Sequence, residues 1–162
     1  MADHVIMMNE YKPFDVTEKA QSICRDYPAL RKRERGKGFG KLEPRVPLPG
    51  SFDPQRGRKR KVGAKGLDMV QFGQYHIRLD DVEQLVDASQ TRAIADLIYY
   101  AWKKYFDGHT LLSDAIRQIE RDLDQYGLDV ISPYKEKAGD YARPRSYEIA
   151  AAINRLRSLD VR

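Results

Sequence analysis

The sequence predicts an α+β fold. A small antiparallel sheet or hairpin packs on an antiparallel helix pair and a C-terminal helix, and one further strand and helix precede them. Three observations lead there. The stretch 69–79 alternates apolar and polar residues on both sides of a glycine, as a half-buried hairpin does. Two amphipathic stretches follow, at about 90–106 and 111–126, separated by the breaker Asp107-Gly108-His109. Between these elements and the first 30 residues lies a segment, 31–66, that can form neither a packed helix nor a central strand. The organisation expected is therefore residues 1–30, a basic crossover arm 31–66, and a C-terminal accessory domain 67–162.

The N-terminal elements come first in chain order. Val5-Ile6-Met7-Met8 reads as a short buried strand. A buried strand needs neighbours on both sides, so it is either a strand from the middle of a domain or an ordinary edge strand. Asp15 and Glu18 have the spacing of a capping box for a helix through Ala20, Ile23 and Cys24 to about Asp26, which Pro28 stops. Cys24 is the single cysteine and reads as a small core residue. One cysteine permits no intrachain disulfide, which fits a reducing compartment, and cytoplasm is the expected location. No apolar run is long enough to cross a membrane, so no membrane partner is expected.

Segment 31–66 holds 13 Lys and Arg against 3 acids, with 7 of the 11 glycines and 4 of the 8 prolines. The chain's net charge of +5 is thus a strongly basic segment set into an otherwise acidic protein. Its centre, Pro44-Arg45-Val46-Pro47-Leu48-Pro49, should be extended. Its two ends, 31–41 and 56–65, are expected to be mobile. After it, Gly73 at the first turn position of 69–79 suits a type II′ turn. Asp87 and Ser89 offer caps for the first long helix. Leu112, Ile116, Ile119, Leu123 and Tyr126 keep the helical period in the second, and Gly127 is its C-cap. Leu128-Asp129-Val130-Ile131 suggests a short strand. Ser146 caps a last helix with Ile149, Ile153, Leu156 and Leu159 on its apolar face.

Catalytic constellations do not emerge, and no catalytic residue is assigned. His4, His76 and His109 lie far apart with no cysteine at ligand spacing, so no metal site is assigned either. Asp80-Asp81 and Asp122 with Asp124 sit where solvated helix surfaces and helix starts carry charge. Gly36-Lys37-Gly38-Phe39-Gly40-Lys41 is not a phosphate loop, because no Gly-Lys-Ser/Thr closes it.

Binding is the stronger theme. A positive, glycine-rich segment suits a polyanion. The nucleic-acid-binding residues expected are Arg31, Lys32, Arg33, Arg35, Lys37, Phe39 and Lys41 at one end, and Arg56, Arg58, Lys59, Arg60, Lys61 and Lys65 at the other. Phe39 either stacks a base between Lys37 and Lys41 or tucks into the body. The second cluster would hold phosphates without reading sequence, or serve as a nuclear-type basic address. Arg143, Arg145 and Ser146, at the start of the last helix, form a possible anion site.

Two passages carry a family resemblance. Met1-Ala2-Asp3-His4-Val5-Ile6-Met7-Met8 is similar to a core-strand segment of ABC-type ATPases. Leu42-Glu43-Pro44-Arg45-Val46-Pro47-Leu48-Pro49 with Ser51-Phe52-Asp53-Pro54, then Val82-Glu83-Gln84-Leu85-Val86-Asp87 with Ser89-Gln90-Thr91-Arg92-Ala93-Ile94, resemble the C-terminal region of the predicted ATPases of the ABC class. Gly127-Leu128-Asp129-Val130 and Ala142-Arg143-Pro144-Arg145 fit the same region. The resemblance implies a nucleotide-binding core upstream of Met1, of which residues 1–30 would be the last strand and helix. It implies ATP and Mg for the parent family, but no Walker A, signature or Walker B residue here and no turnover by this chain alone. An RNA-binding member of that family makes RNA the favoured nucleic acid. The expected function is a sequence-tolerant nucleic-acid-binding module. The alternative is a structural dimerisation or docking module, with the missing ATPase core or a second copy as partner.

Overall fold

The structure, a computed structural model, describes residues 3–27, 43–133 and 139–162. The chain divides into two compact units, Met1–Leu42 and Glu43–Arg162.

In the first unit, β1 (Ile6–Asn9) pairs antiparallel with β2 (Lys12–Asp15), Ile6 opposite Asp15 and Asn9 opposite Lys12. The turn residues Glu10 and Tyr11 both have positive φ, 48° and 63°. Two left-handed residues match the twist of a hairpin, and that position usually calls for Asn or Gly. Neither is present, and Pro13 sits inside β2, so sequence pattern does not reveal this hairpin. The expectation of a buried strand at Val5–Met8 is corrected: Ile6, Met7 and Met8 are exposed. A four-residue apolar run does not say which strands lie beside it. Helix α1 (Thr17–Asp26) follows. The expected Asp15–Glu18 capping box is also corrected: Asp15 Oδ1 instead accepts from the Thr17 amide (2.9 Å) and Thr17 hydroxyl (2.6 Å). These bonds lower the pKa of Asp15. No residue of α1 is buried, and Cys24 is exposed rather than in a core.

The second unit is α+β and holds a continuous apolar core. Its proline-rich entry is ordered by a simple division of labour. Val46 and Leu48 donate their amides to Arg162 O and Asp160 O, each at 3.0 Å, while the alternating Pro47 and Pro49 have no amide to satisfy. Pro47 is fully buried and bridges Val161. Phe52 then enters the core, tilted against Phe106 at 4.8 Å and edge-on to Phe72 at 6.3 Å. Residues 56–65, expected to be mobile, are folded. β3 (Gln55–Arg56) and β4 (Lys59–Arg60) form a tight hairpin, and β5 (Val62–Ala64) is an edge strand of a three-stranded sheet.

That sheet has the order β5-β6-β7, all antiparallel, with β6 at Met69–Phe72 and β7 at Tyr75–Arg78. The β6–β7 turn has positive φ at Gly73 (58°) and not at Gln74, as a type II′ turn requires. Val70, Phe72, Ile77 and Leu79 point inward and are buried under α2 (Ala88–Lys104). Asp87 caps α2 by accepting from Ser89 N at 2.8 Å, and Gln90 Oε1 reaches back to the Asp87 amide at 3.2 Å. Asp107 organises the connection to α3 (Leu112–Tyr126) by accepting from the amides of His109 and Thr110. Gly127, φ 74°, ends α3. The short strand expected at 128–131 is corrected to a single 3₁₀ turn, Leu128–Ile131, which buries Ile131 beside α2 and α3. Its run of four apolar and polar residues fits either state. Helix α4 (Ser146–Asn154) closes the core with Ile149, Ala152 and Ile153. Among the described residues no helix is long and apolar enough to cross a membrane.

Candidate nucleic-acid interface

The basic hairpin is the most highly charged surface of the second unit. Its two-residue turn has Gly57 at φ 66°. This register places Arg56 directly opposite Lys59, with Arg58 in the turn between them and Lys61 just beyond. Arg56, Arg58, Lys59 and Lys61 are all exposed. Among the described residues no carboxylate lies in ion-pair range of these four. Like charges directly across a strand pair oppose the fold by a few tenths of a kcal/mol, roughly. The backbone nevertheless fixes them. Lys61 N donates to Pro54 O at 2.9 Å, and Lys61 O accepts from Gly73 N at 2.7 Å.

Arg60 turns the other way. It is half-buried, with its guanidinium 4.9 Å from the centre of the Tyr99 ring. Lys103 stands 5.7 Å from the same ring, and Trp102 packs beside Tyr99 while donating its indole N–H to Pro49 O. Lys65, at the far end of β5, lies 3.2 Å from His76 Nε2 on β7. Arg31, Lys32, Arg33, Arg35, Lys37, Phe39 and Lys41 lie outside the described residues.

The anion site expected at Arg143, Arg145 and Ser146 is committed elsewhere. Arg143 bridges Glu120 at 2.5 Å and Asp124 at 2.6 Å, and these carboxylates raise its pKa. The Ser146 hydroxyl donates to Glu120. Arg145 gives its amide to Glu148 Oε2 at 2.8 Å, and its side chain lies 3.5 Å from Glu148 Oε1. Three nearby carboxylates repel an anion that the arginines would otherwise attract.

The acids set aside as solvated surface also have definite partners. Arg78 binds Asp80 through two N–H···O contacts of 3.0 Å. Asp122 is largely buried and accepts from Lys104 (2.8 Å), Tyr100 (2.7 Å) and Tyr105, tying α2 to α3. Burial pulls its pKa up, but the three donors outweigh that and hold it low. Burial, then the bond to Asp122, pushes Tyr105 up to about 12. These groups form a structural clasp with no cavity around it for a substrate. Among the described residues no cluster of His, Cys, Asp and Glu could hold a metal ion.

The sequence did not single out Tyr99, Lys103, Tyr75, Arg155 or Arg157. Each is an isolated residue in the sequence and joins the cationic surface only through β5, β7 and the turn after α4.

Fold and surface together define a small α+β domain with a preorganised cationic hairpin. Residues 61–162 match the family model described as the MRB1590 C-terminal domain, and the chain belongs to that family. No curated protein matches the chain. This corrects the resemblance drawn from the sequence. The matching family is not the ABC-class ATPases, and the ATP, Mg and upstream ATPase core that the resemblance implied are withdrawn with it.

Proposed function

We propose that this protein binds nucleic acid, RNA by preference, through the phosphate backbone and without reading sequence. One observation carries the reading: the β3–β4 hairpin sets Arg56 against Lys59, with Arg58 and Lys61 beside them and no acid nearby among the described residues. A fold that concentrates cations against their mutual repulsion is relieved by a polyanion. Successive cations on an extended edge follow successive phosphates, and backbone contacts alone discriminate little between bases. Tyr99 and Trp102, flanked by Arg60 and Lys103, add aromatic surface next to the charge.

The test is the salt dependence of RNA affinity, read by fluorescence anisotropy with the whole chain. If on the order of six phosphates are engaged, affinity falls roughly 10³-fold or more between about 50 and about 200 mM salt. Absence of binding at the lower salt overturns the reading.

A second reading has its own observation. The β1–β2 hairpin and α1 expose Ile6, Met8, Phe14 and Ile23. Apolar side chains gathered on so small a unit favour docking or self-association. Sedimentation of the chain with and without Met8→Lys tests it: a dimer lost in the variant supports it, and a monomer across the micromolar range does not.

A further inference from the structure

A groove of about 720 Å³ runs beside β7, lined in part by Tyr75, His76, Arg78, Asp80, Arg155 and Arg157. Its size falls in the range of roughly 300–1,000 Å³ that accepts small ligands. We infer that this groove seats one unstacked nucleotide of the bound strand, with its phosphate on Arg155 and Arg157 and its base on Tyr75. The inference rests on the nucleic-acid reading above and names where single-strand recognition occurs.

The charges in the groove are unequal. Arg78 is neutralised by Asp80. Arg155 gives one N–H to Ala151 O at 3.2 Å and keeps the rest of its guanidinium. Arg157 is exposed, with no hydrogen-bond or ion-pair partner among the described residues. Asp80 and Asp81 also line the groove and repel phosphate. A strand entering it therefore sets its phosphate on Arg155 and Arg157 and turns its base toward the remaining wall. Tyr75, on that wall, is 39% exposed, enough to offer a stacking face.

The groove is continuous with the basic hairpin through both ends of β5. At one end Gly73 N binds Lys61 O, and the next residue, Gln74, lines the groove. At the other end Lys65 meets His76. There the protons can be assigned. Gln71 donates its amide nitrogen to Gly73 O at 2.7 Å, so its Oε1 must accept from His76 Nε2, also at 2.7 Å. His76 Nε2 is thus the protonated nitrogen, and the Lys65 ammonium 3.2 Å away cannot donate to it. Lys65 has no acceptor there among the described residues, and a phosphate oxygen passing from the hairpin into the groove would supply one.

A base held on Tyr75 must leave its stack. Duplex RNA can do that only by flipping a nucleotide out, so the groove favours single strands. The test is anisotropy with the whole chain at low salt, using a fluorescein-labelled single-stranded RNA of about 12 nucleotides and the same sequence as a duplex. Wild type is expected to prefer the single strand. Tyr75→Ala should weaken single-strand binding by about 5- to 100-fold, with Tyr75→Phe retaining it and duplex binding unchanged. Arg155→Ala with Arg157→Ala should weaken single-strand binding about 10-fold and shallow its salt slope by about 1.4. Melting curves for each variant check the fold. If wild type binds RNA but the groove variants match it, the groove inference is overturned and the hairpin reading stands. Equal losses on single strand and duplex also overturn it. If wild type binds neither RNA, the hairpin reading has failed and takes the groove with it.

Discussion

Arg58 and Arg143 carry the same guanidinium, and their surroundings give them opposite roles. Arg58 projects from a two-residue turn between Arg56 and Lys59, with no carboxylate in reach among the described residues. Arg143 is clamped between Glu120 and Asp124 and joins α3 to the segment entering α4. A cation recruits a ligand only where the fold has not already supplied its counter-charge. The density of Lys and Arg in a sequence does not distinguish the two cases.

The largest expected effect tests whether the fold positions the hairpin. A Cβ on Gly73 would lie 1.9 Å from Asp53 O, at a φ of 58°. Neither backbone can yield without moving the Lys61 contact. Gly73→Ala should therefore destabilise the protein by roughly 3 kcal/mol or more in denaturant titrations. RNA affinity should fall with it. Retained stability would mean that the hairpin is not held as described.

Replacing Arg56, Arg58, Lys59 and Lys61 together by Ala should act on binding alone. RNA affinity should fall on the order of 10²-fold at low salt, with an unchanged or slightly raised melting temperature because the repulsion across β3–β4 is gone. Arg143→Ala is the mirror image. It should cost about 1 kcal/mol of stability by thermal or chemical melting and leave RNA affinity alone. A loss of affinity there would erase the distinction between the two arginines.

The smallest effect is in the pH dependence of the α2–α3 clasp. Tyr105 has a folded pKa pushed up from 10.0 to about 12 by burial and by its bond to Asp122. The unfolded chain releases this proton first, so the clasp's contribution is complete below about pH 10 and is lost as pH rises toward about 12. Asp122 works in the other direction. With its folded pKa held low, its contribution is present above the ordinary carboxylate range and lost as pH falls through the folded value. Tyr105→Phe should flatten the alkaline slope of stability measured by denaturant titration and leave the acid side largely as it was.

Much of the second unit was legible because its signals are periodic and local. The alternation around Gly73, the 3.6-residue spacing of α2 and α3, Asp87 at the α2 cap and Gly127 at the α3 end all depend on near neighbours in the chain. What escaped depends on distant partners. The 3₁₀ turn at Leu128–Ile131 follows from its packing on two helices. The β1–β2 hairpin needs two non-glycine residues at positive φ. β5 looked like part of a mobile basic arm because Val62-Gly63-Ala64 is too short to announce a strand, and only β6 makes it one. The same division holds at the site. Charge density marked Arg56 through Lys65, while the register that opposes Arg56 to Lys59, and the spent valences of Arg143, are tertiary facts. Arg155 and Arg157 lie some 90 residues further on and join the surface only through the fold.

The central claim is that the hairpin's cations, and not those at the entry to α4, meet a phosphate backbone. The most direct measurement is the slope of log affinity against log salt for single-stranded RNA, compared between wild type, the four-alanine hairpin variant and Arg143→Ala. Each lost phosphate contact should reduce the slope by about 0.7, so the hairpin variant should be shallower by about 3 and Arg143→Ala should overlay wild type. Three superimposable lines, or a slope that changes only in Arg143→Ala, would contradict the account.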